Sequence, residues 1–333
     1  MITKNVFMNT NNNENSDRSS SSEIRIFRNR FGHFRAGWRI LFYISFVLVL
    51  FKLSDLLSNS FLLVRGENLS DYALLLNRFI SKFGALLSVL IPGLALLKWV
   101  DKRPVTLLGI GYYKGAVRDF IRGMFMGFII VIFSVLILWL TGWASYSFNG
   151  FSIDILLYLL CCLIVAIISA AYEEVLFRGY IFQSLIEGSN FWITLGIYSL
   201  LFGAAHIGNP QATVFTVMFA VIAGLFLGVI YYKTRTLWMC IGVHFIWNWT
   251  MALLYGMGVA ESKFLRRSLF SYKPSESVLI IGTDAVSEII LGIIIIVVTI
   301  YLWRAKWLRL VESNRKLWAA YPPKYGIDPE LNT

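Results

Sequence analysis

Charge is scarce in this chain. Asp, Glu, Lys and Arg make up 15% of its 333 residues, against about 25% in ordinary soluble domains. With 57% hydrophobic residues and a mean hydropathy of +0.67, this excludes an ordinary water-soluble domain. Cysteine is also sparse. Cys161, Cys162 and Cys240 all lie inside apolar runs, and none has CxxC spacing. That excludes a disulfide framework or a finger-type metal site and leaves small buried apolar side chains, which say nothing about redox compartment. Histidine occurs three times, and no His-Glu-x-x-His zinc motif is present. No serine sits in a Gly-x-Ser-x-Gly elbow. The aspartates lie in loops or near span ends, which disfavours an aspartyl dyad within spans. The apolar runs lack the period-two alternation of a membrane barrel. Residues 1–22, rich in Asn and Ser, have no apolar stretch of the kind a signal peptide needs.

What is present is a series of apolar runs, several of about 18 residues or more, long enough to cross a hydrocarbon core as helices. They fall near Trp38–Leu57, Phe79–Val100 (with Pro92 inside), Phe120–Trp143, Ser152 onwards, Phe191–His206, Ala212–Tyr232, Leu237–Val259 and Val286–Trp303. The expected fold is all-α, a polytopic transmembrane helical bundle of about eight spans. Its expected organisation is a polar, basic tail over 1–35, N-terminal transmembrane helices over 36–150, a transmembrane core over 151–260, and a last helix with a basic tail over 261–333. The tail is too polar to pack and is expected to be disordered. Net charge is +11, and the basic residues cluster beside the runs. Arg25 to Arg39, Lys98 to Arg122, Lys233 with Arg235, and Arg304 to Lys316 place both termini in the cytoplasm, of a plasma (inner) membrane. Contact with anionic lipid accounts for these clusters, and no nucleic-acid module accompanies them.

The fourth run ends in Ala-Ala-Tyr-Glu-Glu-Val-Leu-Phe-Arg. An ionisable residue at membrane depth costs about 2.5–3.5 kcal/mol on insertion scales, so Glu173 and Glu174 side by side need a reason. Three i, i+4 pairs share helix faces: Glu174 with Arg178, Phe202 with His206, and His244 with Asn248. Taken singly, each has a bland reading. A His or Asn in a span is often glue between helices, Glu174–Arg178 suits a structural ion pair, Phe202 suits packing, and His33 suits a surface side chain. Together they are hard to explain that way. From the Glu187–Asn190 turn, Glu173 lies about 15 residues back and His206 about 17 forward. Both are thus roughly 22–26 Å away at 1.5 Å per residue, level with each other in a hairpin. His244 lies roughly 10 Å into its own run. Three chemistries fit: hydrolysis by a glutamate that takes a proton from water, with His assistance and a His–Asn face for the oxyanion; a metal site with two His and one Glu; or a proton or ion pathway.

Glu173-Glu174-x-x-x-Arg178, Phe202-x-x-x-His206 and His244-x-x-x-Asn248, in that order on consecutive apolar segments, resemble the three motifs of the CPBP intramembrane proteases. These are the relatives of the type II CAAX prenyl endopeptidase, also called Abi. The resemblance covers about Ser152 to Leu254. It implies a membrane-embedded endopeptidase in which Glu173 activates water, His206 shares it, Glu174 and Arg178 support and orient, and His244 with Asn248 stabilise the oxyanion. It names no required cofactor. The metalloprotease label attached to the family leaves zinc, held by Glu173, His206 and His244, as the alternative to glutamate-activated water. The implied partners are the bilayer and a membrane-associated peptide, either prenylated CAAX or secreted and bacteriocin-like. A non-proteolytic scaffold, immunity factor or transporter using the same polar cluster is the competing reading; inverted repeats, which a transporter should show, are not evident.

Overall fold

The structure is a computed structural model describing residues 26–27, 34–65, 71–209, 212–255, 269–275 and 283–308. The expectations for the Asn/Ser-rich tail, His33, the last residues of the seventh run and the basic C-terminal tail lie outside these residues. Each apolar run forms a helix, and the fold is an all-α bundle. The helices are α1 (Ala36–Arg65), α2 (Asp71–Ala95), α3 (Ala116–Leu140), α4 (Ile153–Gly188), α5 (Phe191–Ala205), α6 (Val214–Thr234), α7 (Trp238–Tyr255) and α8 (Thr283–Arg304). Among the described residues six are long and apolar enough to cross a membrane, and α5 and α7 are shorter. Large apolar side chains point outwards as well as inwards, for example Leu48, Phe125 and Ile293. A contiguous apolar exterior of this kind has lipid, not water, as its solvent. This is an integral membrane protein.

Local chemistry explains the helix starts. Ser152 Oγ accepts from the Ile155 N–H, Asn190 Oδ1 from the Ile193 N–H, and Thr213 with Thr216 forms a reciprocal cap. Each supplies an acceptor for a backbone N–H that the first turn leaves free. Pro92 lies within α2, and five residues of π-helix, Leu96–Val100, follow that helix. A longer π-helical stretch, Val175–Phe182, interrupts α4 immediately after the two glutamates. Gly179 lies inside this stretch, and a Cβ on it would stand 3.0 Å from the Leu108 carbonyl oxygen.

That contact exposes a second feature that periodicity does not show. The turn Val105–Leu108 dips between the helices, with Leu107 and Leu108 fully buried. Gln183 Nε2 donates to the Leu107 carbonyl and to Tyr231 Oη. The start of α7 is tied to the same segment, since the Leu237 N–H donates to the Gly109 carbonyl. This recessed start lets a residue only two turns into α7 meet the middle of α4.

Close backbone approach fixes α7 further. A Cβ on Gly242 would lie 2.2 Å from the Phe120 carbonyl oxygen, and one on Gly123 equally close to that of Met239. Helices α3 and α7 therefore pack nearly backbone to backbone, two residues before His244. Small residues do this in membranes, where packing and not hydrophobicity drives association. The Gly224–Gly228 spacing does the same for α5 and α6, with a Cβ at Gly224 only 3.0 Å from Ser199 Cα.

At the Glu187 end of α4, Arg39 of α1 pairs with Asp101 at 2.7 Å and with Glu187, Arg103 also pairs with Glu187, and Tyr180 donates to Asp101. These buried charges clip α1, the segment after α2 and the end of α4 together. Towards the other end, Ala144–Phe148 (β1) pairs antiparallel with Phe270–Pro274 (β2), Tyr146 opposite Tyr272. Both segments fall between the apolar runs of the sequence. Each is rich in strand-forming aromatics, but the partner lies more than a hundred residues away.

Candidate active site

Glu173 and Glu174 close the regular part of α4, and the π-helical stretch begins at Val175. Such stretches are frequent at functional sites because they turn side chains out of the regular register. The two acids meet different surroundings. Glu174 is fully buried and pairs with Arg178 at 2.7 Å, so the i, i+4 reading from the sequence holds. Arg178 is also fully buried, its guanidinium carbon 4.3 Å from the Phe202 ring centre and 5.0 Å from that of Tyr198. A desolvated guanidinium over aromatic faces is a favourable arrangement. Phe202, bland as a single residue, therefore holds the arginine on one side and packs at a tilt against His206 on the other, ring centres 4.9 Å apart.

His244 reaches the pair from α7. Its Nδ1 stands 2.8 Å from Glu174 Oε1, and its Nε2 lies 3.7 Å from Glu173 Oε2. A carboxylate only accepts, so Nδ1–H is the donor to Glu174. Glu174 Oε1 thus receives both Arg178 and His244, and among the described residues its buried Oε2 has no partner. Glu173 keeps an open edge: its side chain is 18% exposed, against 0% for Glu174. Asn248 follows His244 by one turn on α7 and is half-buried.

The structure brings His206 to the level of Glu173. Phe182 faces Tyr198 and Phe177 faces Phe202, with ring centres 5.1 and 5.0 Å apart. Stepping about one turn further along each antiparallel arm leads from Phe177 to Glu173 and from Phe202 to His206, so the hairpin geometry expected from the turn holds. His206 Nδ1 is 2.8 Å from the Phe202 carbonyl oxygen, which can only accept. In the neutral ring, Nε2 is then the free acceptor.

One neighbour escaped sequence reasoning. Lys82 of α2, half-buried inside the second span, comes within electrostatic reach of Glu173, and its Nζ lies 5.4 Å from the ring centre of Tyr172. The signal was available as a charge within an apolar run, but only the packing of α2 on α4 gives it a partner.

For zinc, Glu173, His206 and His244 would have to converge. Among the described residues no three His, Cys, Asp or Glu side chains are grouped so as to hold a metal ion. His244 directs Nδ1 to Glu174 and Nε2 towards Glu173, and His206 is anchored through Phe202. As arranged, the three do not form a zinc ligand set.

Comparison with known proteins falls on this same part of the chain. Residues 154–250 match the family model described as "Type II CAAX prenyl endopeptidase Rce1-like". All seven motif residues lie within the match. The chain is also 29% identical over 89 residues to "Putative membrane peptidase YdiL" of Bacillus subtilis (strain 168), an alignment covering 27% of this chain and 34% of that relative. The chain thus spans about a third of the length of that relative. No solved structure matches. The resemblance drawn from the three motifs is borne out as a match of this stretch to the Rce1-like family model.

Proposed function

We propose that this protein is an intramembrane endopeptidase in which Glu173 activates water against a peptide carbonyl. The observation that carries the reading is the unequal treatment of two adjacent carboxylates. Glu174 is fully buried and tied by Arg178 and His244, while Glu173 keeps an exposed edge in front of His244 and level with His206. A buried, doubly bonded carboxylate serves as a scaffold; a half-open one can exchange a proton with water. The Rce1-like match over residues 154–250 supports the same class of reaction.

In this reading the Glu173 carboxylate takes a proton as the water oxygen bonds to the carbonyl carbon. His206 Nε2 accepts a hydrogen bond from the water's second O–H and so orients it. His244 donates through Nδ1 to Glu174, and with a proton on Nε2 it joins the Asn248 amide in binding the oxyanion. When the C–N bond breaks, the proton held by Glu173 passes to the leaving amine. The peptide substrate is membrane-associated, a prenylated CAAX protein or a secreted, bacteriocin-like peptide. The basic residues at the Glu187 end, Lys98, Lys102, Lys114, Arg118 and Arg122, orient that end and both termini to the cytoplasm of a plasma membrane.

The test uses the full chain in proteoliposomes with a membrane-derived peptide pool. Glu173→Ala and His206→Ala should each abolish cleavage while the protein stays folded in detergent. Full activity in Glu173→Ala would overturn the mechanism. Activity that survives exhaustive chelation would remove a zinc-dependent version.

A further inference from the structure

One acid of the membrane region has no part in the proton transfers. Glu288 lies in α8, within Ala285–Arg304, a segment long and apolar enough to cross the membrane. Ionisable side chains inside such a segment are costly and tend to be functional. Glu288 also stands outside residues 154–250, which carry the family match. Its Oε1 accepts from the Thr216 hydroxyl of α6 at 2.8 Å.

Helices α6 and α8 run side by side in the same direction, joined by polar contacts towards both ends. Near their C-terminal ends, Lys233 of α6 donates to the carbonyls of Leu302, Trp303 and Ala305. The end of a helix leaves such carbonyls free, so helix termination explains that tie. It does not explain Glu288. The start of α6 is already capped, because the Thr216 N–H donates to Thr213 Oγ1 and the Thr213 N–H to Thr216 Oγ1.

What Glu288 holds is the part of α6 that the candidate active site rests on. This helix follows the turn after His206, at a corner where Ile207, Gly208, Asn209 and Val214 are all exposed. One turn before His206, a Cβ on Gly203 would stand 2.3 Å from the Val221 side chain and 3.1 Å from the Val217 carbonyl oxygen. Towards α7, Phe219 stacks on Trp247, the residue before Asn248, with ring centres 5.4 Å apart. The first two turns of α6 therefore touch both the helix that ends at His206 and the helix that carries His244 and Asn248. Glu288 grips the same two turns from the α8 side.

We propose that Glu288 is a positioning residue: by holding Thr216 it sets the start of α6, and through α6 the place of His206 and Asn248 about Glu173. The inference rests on the protease reading and extends the working unit to α8. Reacting groups displaced by about 1 Å lose as much as 10²-fold in rate, so a loosened α6 lowers kcat while substrate binding is kept.

The experiment uses the full chain in proteoliposomes with a peptide that wild type cleaves. Glu288→Leu should lower kcat roughly tenfold or more, with KM within about twofold and melting in detergent no lower, since an acid has been taken out of the membrane. Glu288→Gln keeps an acceptor oxygen and should keep most of the rate. Thr216→Val should reproduce the loss, and combining it with Glu288→Leu should add little, as expected of two partners in one contact. A second readout needs no substrate. In protein labelled with ¹⁵N-histidine, the His206 signals, identified by their loss in His206→Ala, should move in Glu288→Leu and stay near their wild-type positions in Glu288→Gln. If Glu288→Leu does not fold, Thr216→Val with Glu288→Gln makes the same comparison. An unchanged kcat in Glu288→Leu, or a loss in KM alone, overturns the positioning role and leaves the protease standing. Wild type that cleaves no peptide overturns the protease reading, and unmoved His206 signals then overturn the positioning role separately.

Discussion

Two clusters of buried charge lie along the same helix and are built differently. At the end of α4, Glu187 is enclosed by Arg39 and Arg103, and Asp101 takes Arg39 and Tyr180. Two acids meet two arginines. In the middle of α4, Glu174 and Arg178 are equally closed to solvent, yet Glu173 beside them is left with an open edge and a histidine 3.7 Å away. A closed network resists change because every charge has lost its water and holds its partner in exchange. A network with one open member keeps a group that can gain and lose a proton. The difference separates a clamp from a site, although both read as glutamates in one continuous helix.

Breaking the closed part of the central cluster should have the largest effect. Glu174→Gln leaves Arg178 buried without its counter-charge, and losing one partner of such a pair costs about 3–5 kcal/mol. The variant should melt at a clearly lower temperature in detergent, followed by tryptophan fluorescence, and should lose cleavage as well. If it melts like wild type, Glu174 is not the scaffold described above. Asn248→Ala comes next. Removing one oxyanion donor should lower kcat by about 10²–10³-fold with melting unchanged, and an unaltered kcat would remove Asn248 from the oxyanion face. The smallest effect sharpens the comparison from the other end. Glu187→Gln should cost about 1–3 kcal/mol in stability, since Arg39 retains Asp101. Cleavage per folded molecule, measured well below the melting temperature, should not change. A large fall in kcat there would show that the clamp also serves the chemistry.

Sequence reasoning reached the parts of this architecture that are local. Apolar run lengths marked the helices, and the Glu187–Asn190 turn marked the hairpin, whose arms then set Glu173 and His206 level. Spacing of four residues paired Glu174 with Arg178, even though a π-helical stretch begins between them. What stayed hidden depends on contacts between distant segments. Lys82 was one charge within an apolar run until α2 packed on α4. Arg39 read as part of a basic flank and Glu187 as a turn residue, because neither carries a sign of the other in sequence. The recessed turn at Val105–Leu108 has no periodic signature, and it is this turn that lets His244 reach Glu174 from so near the start of α7. The strand pair β1–β2 was missed for the same reason of distance.

The most direct test of the central claim, that Glu173 is the residue that activates water, is comparative N-terminomics of cells carrying the wild-type chain or Glu173→Gln at equal membrane abundance. The account predicts a set of new N-termini, from membrane-associated proteins, present with wild type and absent with Glu173→Gln. Identical sets of N-termini in the two cells would contradict it.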